Sequence, residues 1–596
     1  MRRLPSILAA VVLLLSATAV EAARVERVDI VGLDEPMTEN VEVSLSVINS
    51  VGKEVSGRRL AYLIREVDDQ TREALEPFGY YSPTIDVQRS NENGGVVVRV
   101  VVDAGQPVRV RNRDIAILGE GGQDRYLARD LAGFVPDEGS VFNHAEYDGS
   151  RNRITRRLAE RGYFDTEFTS RRVEVTRADF AADIDLVWNS GDRFNMGATT
   201  FEQTPEQVVN DSLLERLIYW DEGSYYHQGR LDRLRTSLTR LDYFANIDIS
   251  PQVDEANANR EVPIQVTLTP AKRSIYTSGV SYGTDSGAGI RLGVERRYVN
   301  MRGHKALAQL DYAQKRKTLT VQYRIPAFAW LDGWYTASLQ AADEQTDYID
   351  SRRIEFVASR SGQYNPFLNL VASMHVLRER WLFRVADDGE GALAAQPYRY
   401  ATFAYPSVRA EYVDVDDRIF PRAGIGGSLM LRGGVEGVGS DASFGQIHAR
   451  ASWFRGIGES NRLIVRGEIG HTFTDELTDM PPSLRFYAGG DRSIRGYEYR
   501  EVSPRIDTDF GRYSVGAQNL VTASVEFERY FTDTIGAAVF VDSGDAFDGT
   551  SPDWRTGVGI GARYRSPVGP LKLDIARGLD NPDSGFTIGL TIGAEF

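Results

Sequence analysis

The chain has 596 residues, enough for several domains, and a formal net charge of −15 at pH 7. This acidic balance, without a clustered basic run, argues against a nucleic-acid partner, because binding to phosphates needs a positive footprint. Cysteine is absent, which excludes disulfides, thiolate chemistry and cysteine metal sites.

The N-terminal segment predicts export. Arg2 and Arg3 precede an apolar run from Ile7 to Leu15, and Ala22 ends a candidate cleavage site. The nine apolar residues of this run are too few to cross a bilayer as an anchor helix. We therefore predict a signal peptide over residues 1–22. Later segments lack an apolar run of about twenty residues, so any membrane span is predicted to be a β-barrel.

Residues from about 24 to 270 form a repeat with a period of roughly 80 residues. In each copy a helical pattern ends at an aromatic pair, and two strand patterns follow it. The aromatic pairs are Tyr80-Tyr81, Tyr163-Phe164 and Tyr243-Phe244. Each copy is therefore predicted to run strand, helix, helix, strand, strand. The predicted boundaries of the copies are 23–106, 107–190 and 191–270.

This element order, with Gly162-Tyr163-Phe164 at the end of a second helix, resembles a POTRA domain. We expect the aromatic pairs to seal helix against sheet rather than to bind a ligand. A small sheet with an open edge can accept an extended segment as an added strand. The hypothesis for these α+β repeats is therefore pairing with unfolded or partner β-chains through their sheet edges.

From about residue 271 onwards, the segments alternate between apolar residues and small or polar ones. In the last segment one face carries Phe586, Ile588, Leu590 and Ile592, and glycine, threonine or glutamate occupies the other. An apolar outside and a polar inside are typical of a membrane barrel strand. At roughly 20 residues per strand and connection, about 320 residues predict about sixteen strands. Residues 271–596 are therefore predicted to be an all-β transmembrane barrel.

The stretch from Gly489 to Tyr497 interrupts the strand pattern and predicts a loop. Arg495 in this loop carries a permanent charge, and its planar fork suits a carboxylate. A buried arginine needs an acidic partner, and strand alternation over residues 535–542 turns Asp542 towards the barrel lumen. We therefore predict an ion pair between Arg495 and Asp542.

The triplet Arg495-Gly496-Tyr497 resembles the loop-tip motif of the outer-membrane-protein assembly factors, the superfamily of BamA, TamA and the two-partner secretion pores. In that superfamily the loop folds back into its own barrel, and its arginine pairs with the aspartate of a strand motif of the form F-x-D-x-G. The matching residues here are Phe540, Asp542 and Gly544. The resemblance implies an inward-folded loop over about residues 489–518.

Three repeats ahead of a barrel resemble the TamA family, since BamA-like chains carry five and two-partner secretion pores carry two. The resemblance implies an assembly factor in the bacterial outer membrane, with its repeats in the periplasm, that inserts or translocates autotransporters and other barrel proteins. It also implies contact with outer-membrane lipids and, at the first repeat, an inner-membrane-anchored partner resembling TamB. A two-partner-secretion-type export pore and a passive porin remain open as alternatives.

The first and last barrel strands must meet to close the barrel, and this lateral seam is a candidate site. Gly589 and Gly593 weaken the last strand, because glycine contributes no side-chain packing. We hypothesise that the seam opens and templates a client strand; alternatively, these glycines only fit a narrow interior. The last residue, Phe596, resembles the terminal aromatic that the assembly machinery reads in outer-membrane proteins.

An enzyme is not predicted. The six histidines are scattered without metal-ligand spacing, and no nucleophile motif occurs. We therefore predict no catalytic residue, no metal site and no cofactor.

Overall fold

The computed structural model describes residues 22–92, 94–283, 287–328, 331–346, 349–383, 398–508, 511–566, 569–580 and 585–592. The predicted signal peptide, apart from Ala22, lies outside these residues. None of the helices in these ranges combines the length and the apolar character needed to cross a bilayer.

The first repeat packs two helices against a mixed sheet. Its elements are β1 (Ala22–Val31), α1 (Glu35–Ser44), β2 (Glu54–Ser56), α2 (Gly57–Leu75), β3 (Thr84–Glu92) and β4 (Gly95–Asp103). The strand order is β2-β1-β4-β3, and β1 runs parallel to β4. The carboxylate of Asp34 accepts the Met37 amide at 3.1 Å and so starts α1. Leu60 and Val67, on one face of α2, are fully buried in one core with Val98 of β4.

The second repeat has the same order of helices around a parallel pair of strands. Its elements are β5 (Arg109–Leu118), α3 (Arg125–Ala132), α4 (His144–Glu160), β6 (Glu167–Thr176) and β7 (Ala181–Asn189). The sheet order is β5-β7-β6, and β5 runs parallel to β7. Ile154 and Leu158 of α4 are fully buried in one core with Trp188 of β7. The helices and the sheet therefore share a water-excluding core.

The third repeat has a short first helix. Its elements are β8 (Asn195–Gln203), α5 (Asp211–Leu214), α6 (Gln228–Leu241), β9 (Phe244–Pro251) and β10 (Glu261–Pro270), with the sheet order β8-β10-β9. After α6, Asp242 adopts the left-handed conformation, at φ +55°, that Gly79 and Gly162 adopt in the other repeats. Aspartate is one of the few side chains that tolerate it. The second and third repeats confirm the predicted order of strand, helix, helix, strand, strand, and the first repeat has this order with one additional short strand, β2, between its helices.

The remaining strands form the barrel and one small hairpin. They are β11 (Ser274–Gly283), β12 (Gly287–Arg296), β13 (Lys305–Ala313), β14 (Arg316–Pro326), β15 (Leu331–Gln345), β16 (Ile349–Gln363), β17 (Leu368–Phe383), β18 (Arg399–Val415), β19 (Ala423–Gly434), β20 (Phe444–Ile457), β21 (Asn461–Phe473), β22 (Arg505–Thr508), β23 (Gly511–Ser514), β24 (Asn519–Tyr530), β25 (Ile535–Phe547), β26 (Arg555–Ser566), β27 (Gly569–Gly578) and β28 (Thr587–Ile592). β22 and β23 pair with each other in the loop between β21 and β24. The other sixteen strands form one sheet in chain order. The prediction of about sixteen strands is confirmed.

Alternation along each strand separates a lipid face from a luminal face. In β25, Val539 and Val541 are about half exposed, whereas Phe540 and Asp542 are buried. The order of paired strands begins at β11 and ends at β28, and Cα atoms of these two strands approach within 8 Å. The two end strands are thus neighbours. We refer to the line between them as the seam.

Candidate functional site

The loop between β21 and β24 turns into the barrel and buries Arg495 against Asp542 of β25. Arg495 Nε donates to Asp542 Oδ2 at 2.6 Å, and Nη2 donates to Asp542 Oδ1 at 2.9 Å. The backbone amide of Arg495 also donates to Asp542 Oδ2, at 3.1 Å. The side chains of Arg495 and Asp542 are 5% and 1% exposed. The structure thus brings together the two residues that the sequence motifs pair, in the bidentate geometry for which arginine is suited.

Arg495 has two further carboxylate partners that the sequence analysis missed. Its Nη1 atom donates to Glu526 Oε2 at 2.9 Å and to Asp574 Oδ2 at 3.1 Å. Glu526 lies in β24 and Asp574 in β27, so the loop tip joins three strands of the wall. In the sequence, strand alternation does assign both acids to the polar, luminal face of their strands. Alternation alone does not reveal which luminal residues meet.

A second arginine shares these acids. Arg563 of β26 donates to Glu526 Oε1 at 2.7 Å and to Asp574 Oδ1 at 2.6 Å. Further ion pairs extend the set to four arginines and four carboxylates, which we name the luminal charge network: Arg462, Arg466, Arg495, Arg563, Glu526, Glu528, Asp542 and Asp574. Buried charges are tolerated when they are paired and hydrogen-bonded. The loop tip therefore docks on the wall by completing a network of opposite charges.

Phe540 and Gly544, the other residues of the strand motif, shape the space around the arginine. The guanidinium carbon of Arg495 lies 3.3 Å from the centre of the Phe540 ring, in a cation–π contact. A side chain at Gly544 would place its Cβ 2.7 Å from Thr522 Cα of the neighbouring strand. A Cβ at Gly557 of β26 would overlap the carbonyl oxygen of Arg495. Close approach of strand to strand and of loop to strand therefore depends on glycine here.

Gly496 and Tyr497 fix the rest of the loop tip. Gly496 has φ +96°, and a Cβ there would lie 2.5 Å from the carbonyl carbon of Arg577, so both conformation and space require glycine. Tyr497 is 4% exposed, and its hydroxyl donates to Asp580 Oδ2 at 3.3 Å. Gly578 leaves room for the ring, since a Cβ there would lie 2.7 Å from Tyr497 Cζ. The predicted loop-tip triplet thus packs as one unit against β27 and the residues after it.

The predicted seam residue Gly589 faces this loop. A Cβ at Gly589 would lie 2.5 Å from Asp491 Oδ1, and the Gly496 amide donates to Thr587 Oγ1 of β28 at 3.1 Å. The loop tip therefore touches the last strand beside the seam. This geometry favours the explanation that Gly589 makes room inside the barrel, and its role in seam opening stays a prediction. The other predicted seam residues, Gly593 and Phe596, lie outside the described residues.

Two histidines of the barrel are bound to acids on neighbouring strands. His375 Nδ1 lies 2.8 Å from Glu355 Oε1, and His448 Nε2 lies 2.6 Å from Glu468 Oε1. In the part of the chain that the structure describes, no three or more histidine, aspartate or glutamate side chains are arranged to hold a metal ion. Each of the two pairs links neighbouring strands of the wall, β16 with β17 and β20 with β21.

The junction between the second and third repeats buries a tyrosine. Tyr226 is 1% exposed, and burial raises the pKa of its phenol to about 12. Arg193 Nη2 donates to the Tyr226 carbonyl at 3.1 Å. A Cβ at Gly162 would lie 2.7 Å from Tyr226 Cβ, so this glycine also makes room for the tyrosine. The ring of Phe164, from the second predicted aromatic pair, lies 4.8 Å from the Tyr226 ring, so both residues pack at this junction.

A family model described as the Omp85 superfamily domain matches residues 299–596, which is half of the chain. The chain belongs to the Omp85 superfamily. Residues 27–104 match a model described as POTRA domain TamA domain 1, and residues 111–189 match one described as surface antigen variable number repeat. Membership of Omp85 places the barrel in the outer membrane and the POTRA repeats in the periplasm.

Relatives of this Omp85 chain include two proteins named outer membrane protein assembly factor BamA. BamA of Nitratidesulfovibrio vulgaris is 22% identical over 437 residues, which cover 72% of this chain and 54% of the relative. BamA of Neisseria meningitidis is 22% identical over 396 residues, which cover 61% and 48%. The chain thus spans about half the length of these relatives. The crystal structure of Haemophilus ducreyi BamA lacking POTRA domains 1–3 shares the fold, with 14% identity and a TM-score of 0.54 over 96% of this chain and 98% of that one.

Proposed function

We propose that this Omp85 protein is an assembly factor, embedded in outer-membrane lipids, that inserts or translocates autotransporters and other barrel proteins. The observation that carries the proposal is the position of the loop tip. Arg495 docks on the luminal charge network, while Gly496 and Asp491 reach the last strand beside the seam. A passive pore needs no contact between its plug and the strand at its seam. The loop and the seam therefore act together in this proposal.

The backbone chemistry of a seam in lipid explains how a client strand would bind. Separation of β11 from β28 exposes backbone amide and carbonyl groups, and the hydrocarbon core offers no water to satisfy them. An extended client segment satisfies these groups by adding a strand to the free edge. Because the bonds are made by the backbone, clients of different sequence can use the same edge.

A disulfide across the seam tests this function, and the cysteine-free sequence makes engineered pairs unambiguous. One cysteine replaces Ile588 of β28, and the second is scanned along β11 until a crosslink forms. We expect the oxidised protein to lose client assembly in reconstituted membranes and the reduced protein to regain it. The matched control joins Ile588 to its registered neighbour Ile575 of β27 and should leave assembly intact. Normal assembly by the locked seam would contradict the proposal.

The edges of the repeat sheets are the proposed binding sites for unfolded clients. β3, β6 and β9 lie at sheet edges, and β6 is largely exposed along its length. Crosslinking amino acids at alternate positions of β6 should trap client chains in transit, whereas the same change in the central strand β7 should not. Failure to trap a client at every position of the three edge strands would count against this part of the proposal.

We further propose that the first repeat binds an inner-membrane-anchored partner resembling TamB. The match of residues 27–104 to a TamA-type first POTRA domain supports it. Val43 of α1 is 86% exposed and Tyr62 of α2 is 46% exposed, so crosslinking amino acids fit at both positions without disturbing the core. We expect one inner-membrane protein to be captured from these positions and not from Arg156 in the second repeat. Capture at neither position would reject the first repeat as the docking site.

A further inference from the structure

The inward loop has a second group of contacts, which begins four residues after Arg495. Arg500 Nη1 lies 3.6 Å from Glu344 Oε1. Arg316 Nη2 donates to the Tyr499 hydroxyl oxygen at 2.8 Å and lies 3.1 Å from Glu344 Oε1. The side chains of Glu344 and Arg500 are 6% and 14% exposed. The loop therefore also meets the wall around a buried carboxylate of β15.

The backbone at Arg500 adopts an uncommon conformation. Its φ is +63°, in the left-handed region that few residues other than glycine adopt. Its carbonyl accepts the Ser514 hydroxyl at 3.1 Å, and its guanidinium carbon lies 4.9 Å from the centre of the Tyr487 ring. A strained conformation that is held by several contacts is a reason to look for a function. Here the contacts direct the side chain towards Glu344.

The two groups of contacts lie on opposite sides of the seam. The luminal charge network occupies β21 and β24 to β27, and Thr587 belongs to β28, which is one edge of the seam. Arg316 and Glu344 belong to β14 and β15, which follow the other edge, β11, by three and four strands. We propose that the loop is a tie across the seam, with Arg495 as its first anchor and Arg500 with Tyr499 as its second. This inference rests on the proposed seam function and adds a restraint that keeps the seam closed.

The second anchor is the weaker of the two. Arg495 contacts three carboxylates at 2.6 to 3.1 Å, whereas Arg500 lies 3.6 Å from Glu344, which Arg316 also contacts. The attraction between charges falls with distance, and charge-assisted hydrogen bonds are short. We therefore expect the second anchor to release first. The loop tip then stays docked on the C-terminal wall while the seam opens.

The distance across the seam in full-length protein in lipid nanodiscs tests the tie. Spin labels on cysteines at Val280 of β11 and Ile588 of β28, which are 87% and 55% exposed, report this distance by continuous-wave and pulsed electron paramagnetic resonance. Glu344→Gln should add a population longer by at least ~5 Å, the spacing of neighbouring strands. Tyr499→Phe, which keeps every charge, should add a smaller population at the longer seam distance. This second variant carries the test if Glu344→Gln lowers the folded yield.

A matched control removes a carboxylate that is paired within the wall. Asp311→Asn breaks the ion pair of Asp311 with Arg291, which joins β13 to β12, and should leave the seam distance unchanged. Equal lengthening by Asp311→Asn would overturn the tie, since it would indicate a general effect of lost wall charge. Unchanged distances in both test variants, in protein with the heat-modifiable gel migration of a folded barrel, would also overturn it.

The client-assembly assay separates this inference from the proposed function. A longer seam distance in Glu344→Gln together with altered client assembly supports both. A longer distance with unaltered assembly supports the tie and contradicts insertion at the seam. An unchanged distance, with assembly still blocked by the seam disulfide, contradicts the tie and leaves the proposed function intact.

Discussion

The repeats bury mainly apolar side chains, whereas the barrel half buries apolar clusters and, in addition, many paired charges. Among the described residues of the repeats, the buried polar residues Thr71, Ser150, Ser190 and Ser237 are uncharged, and the Asp124 side chain, 6% exposed, pairs with Arg161. Most of the buried charged side chains that the structure describes lie in the barrel half, between Lys305 and Asp574. The repeats are therefore stabilised by excluding water from apolar side chains, and the barrel interior depends in addition on the pairing of buried charges.

This difference predicts two kinds of failure. A truncated side chain in a repeat leaves a cavity, whose effect stays with the helices and sheet around it. A removed charge in the lumen leaves its former partners buried and unpaired, in a network that spans several strands. Variants in the repeats and in the barrel should therefore differ both in how much stability they lose and in which region of the protein loses order.

The largest effect is expected from Arg495→Met. Three buried carboxylates then lose a partner, and breaking a buried ion pair costs about 3–5 kcal/mol of unfolding free energy. Urea unfolding, followed by the heat-modifiable gel band, measures this loss. Arg492→Met, at an exposed position three residues earlier, is the control and should change stability by less than about 0.5 kcal/mol. Equal effects of the two changes would refute charge pairing as the stabilising force of the lumen.

In the repeats, Leu158→Ala should cost about 2–5 kcal/mol, because this leucine is fully buried in the core of the second repeat. The described α-helices lie within residues 35–241, so circular dichroism at 222 nm reports mainly on the repeats. We expect a lower melting temperature of that signal and an unchanged heat-modifiable band. Arg156→Ala, whose side chain is 73% exposed, should leave both unchanged. A loosened barrel in Leu158→Ala would break the contrast between the halves.

Two glycine substitutions compare how tightly the lumen is packed beside the docked loop and at the seam strand. Gly557→Ala would force a methyl group into the backbone carbonyl of Arg495 and should cost about 1–3 kcal/mol. At Gly589 the added methyl group meets the end of the Asp491 side chain, which can rotate away, so Gly589→Ala should cost less. Urea unfolding of the two variants measures the difference. The reverse order would indicate that the seam strand, rather than the docked loop backbone, is the tightly packed part.

The smallest effect is a dependence on alkaline pH in the repeats. Burial raises the pKa of Tyr226 to about 12, above its unfolded value of about 10. Its contribution to stability is therefore full below about pH 10 and is lost as the pH rises through 12, and about 1 kcal/mol is lost by pH 11. Tyr226→Phe cannot ionise, so its deficit relative to the parent in melting at 222 nm should shrink between pH 8 and pH 11. Tyr62→Phe, at an exposed position, should show no such trend.

The periodicity of apolar residues predicted the order of helices and strands, because both the repeats and the barrel follow a regular period. The repeat cores are apolar, so helix and strand patterns reveal which face is buried, as Leu158 and Trp188 show. The pairing of Arg495 with Asp542 was predictable for a different reason, because both residues lie in short motifs that resemble the paired motifs of a known family.

The other residues of the site could not be predicted from the sequence. A period of two assigns Glu526 and Asp574 to the luminal face, but their contacts depend on strand tilt and on the point at which the loop enters. Arg500 was harder still, because a single arginine in a loop belongs to no pattern. Its left-handed backbone and its neighbour Glu344 become visible only when the loop and the wall are seen together.

The hydrogen bond between Gly496 and Thr587 joins residues that lie 91 positions apart. The inward loop can form this hydrogen bond only once the last strand, β28, has been synthesised and has paired with β27. Arg495 pairs with acids on β24, β25 and β27, which all precede the last strand, so the loop can dock during biogenesis before β28 pairs, and its contact with Thr587 forms last.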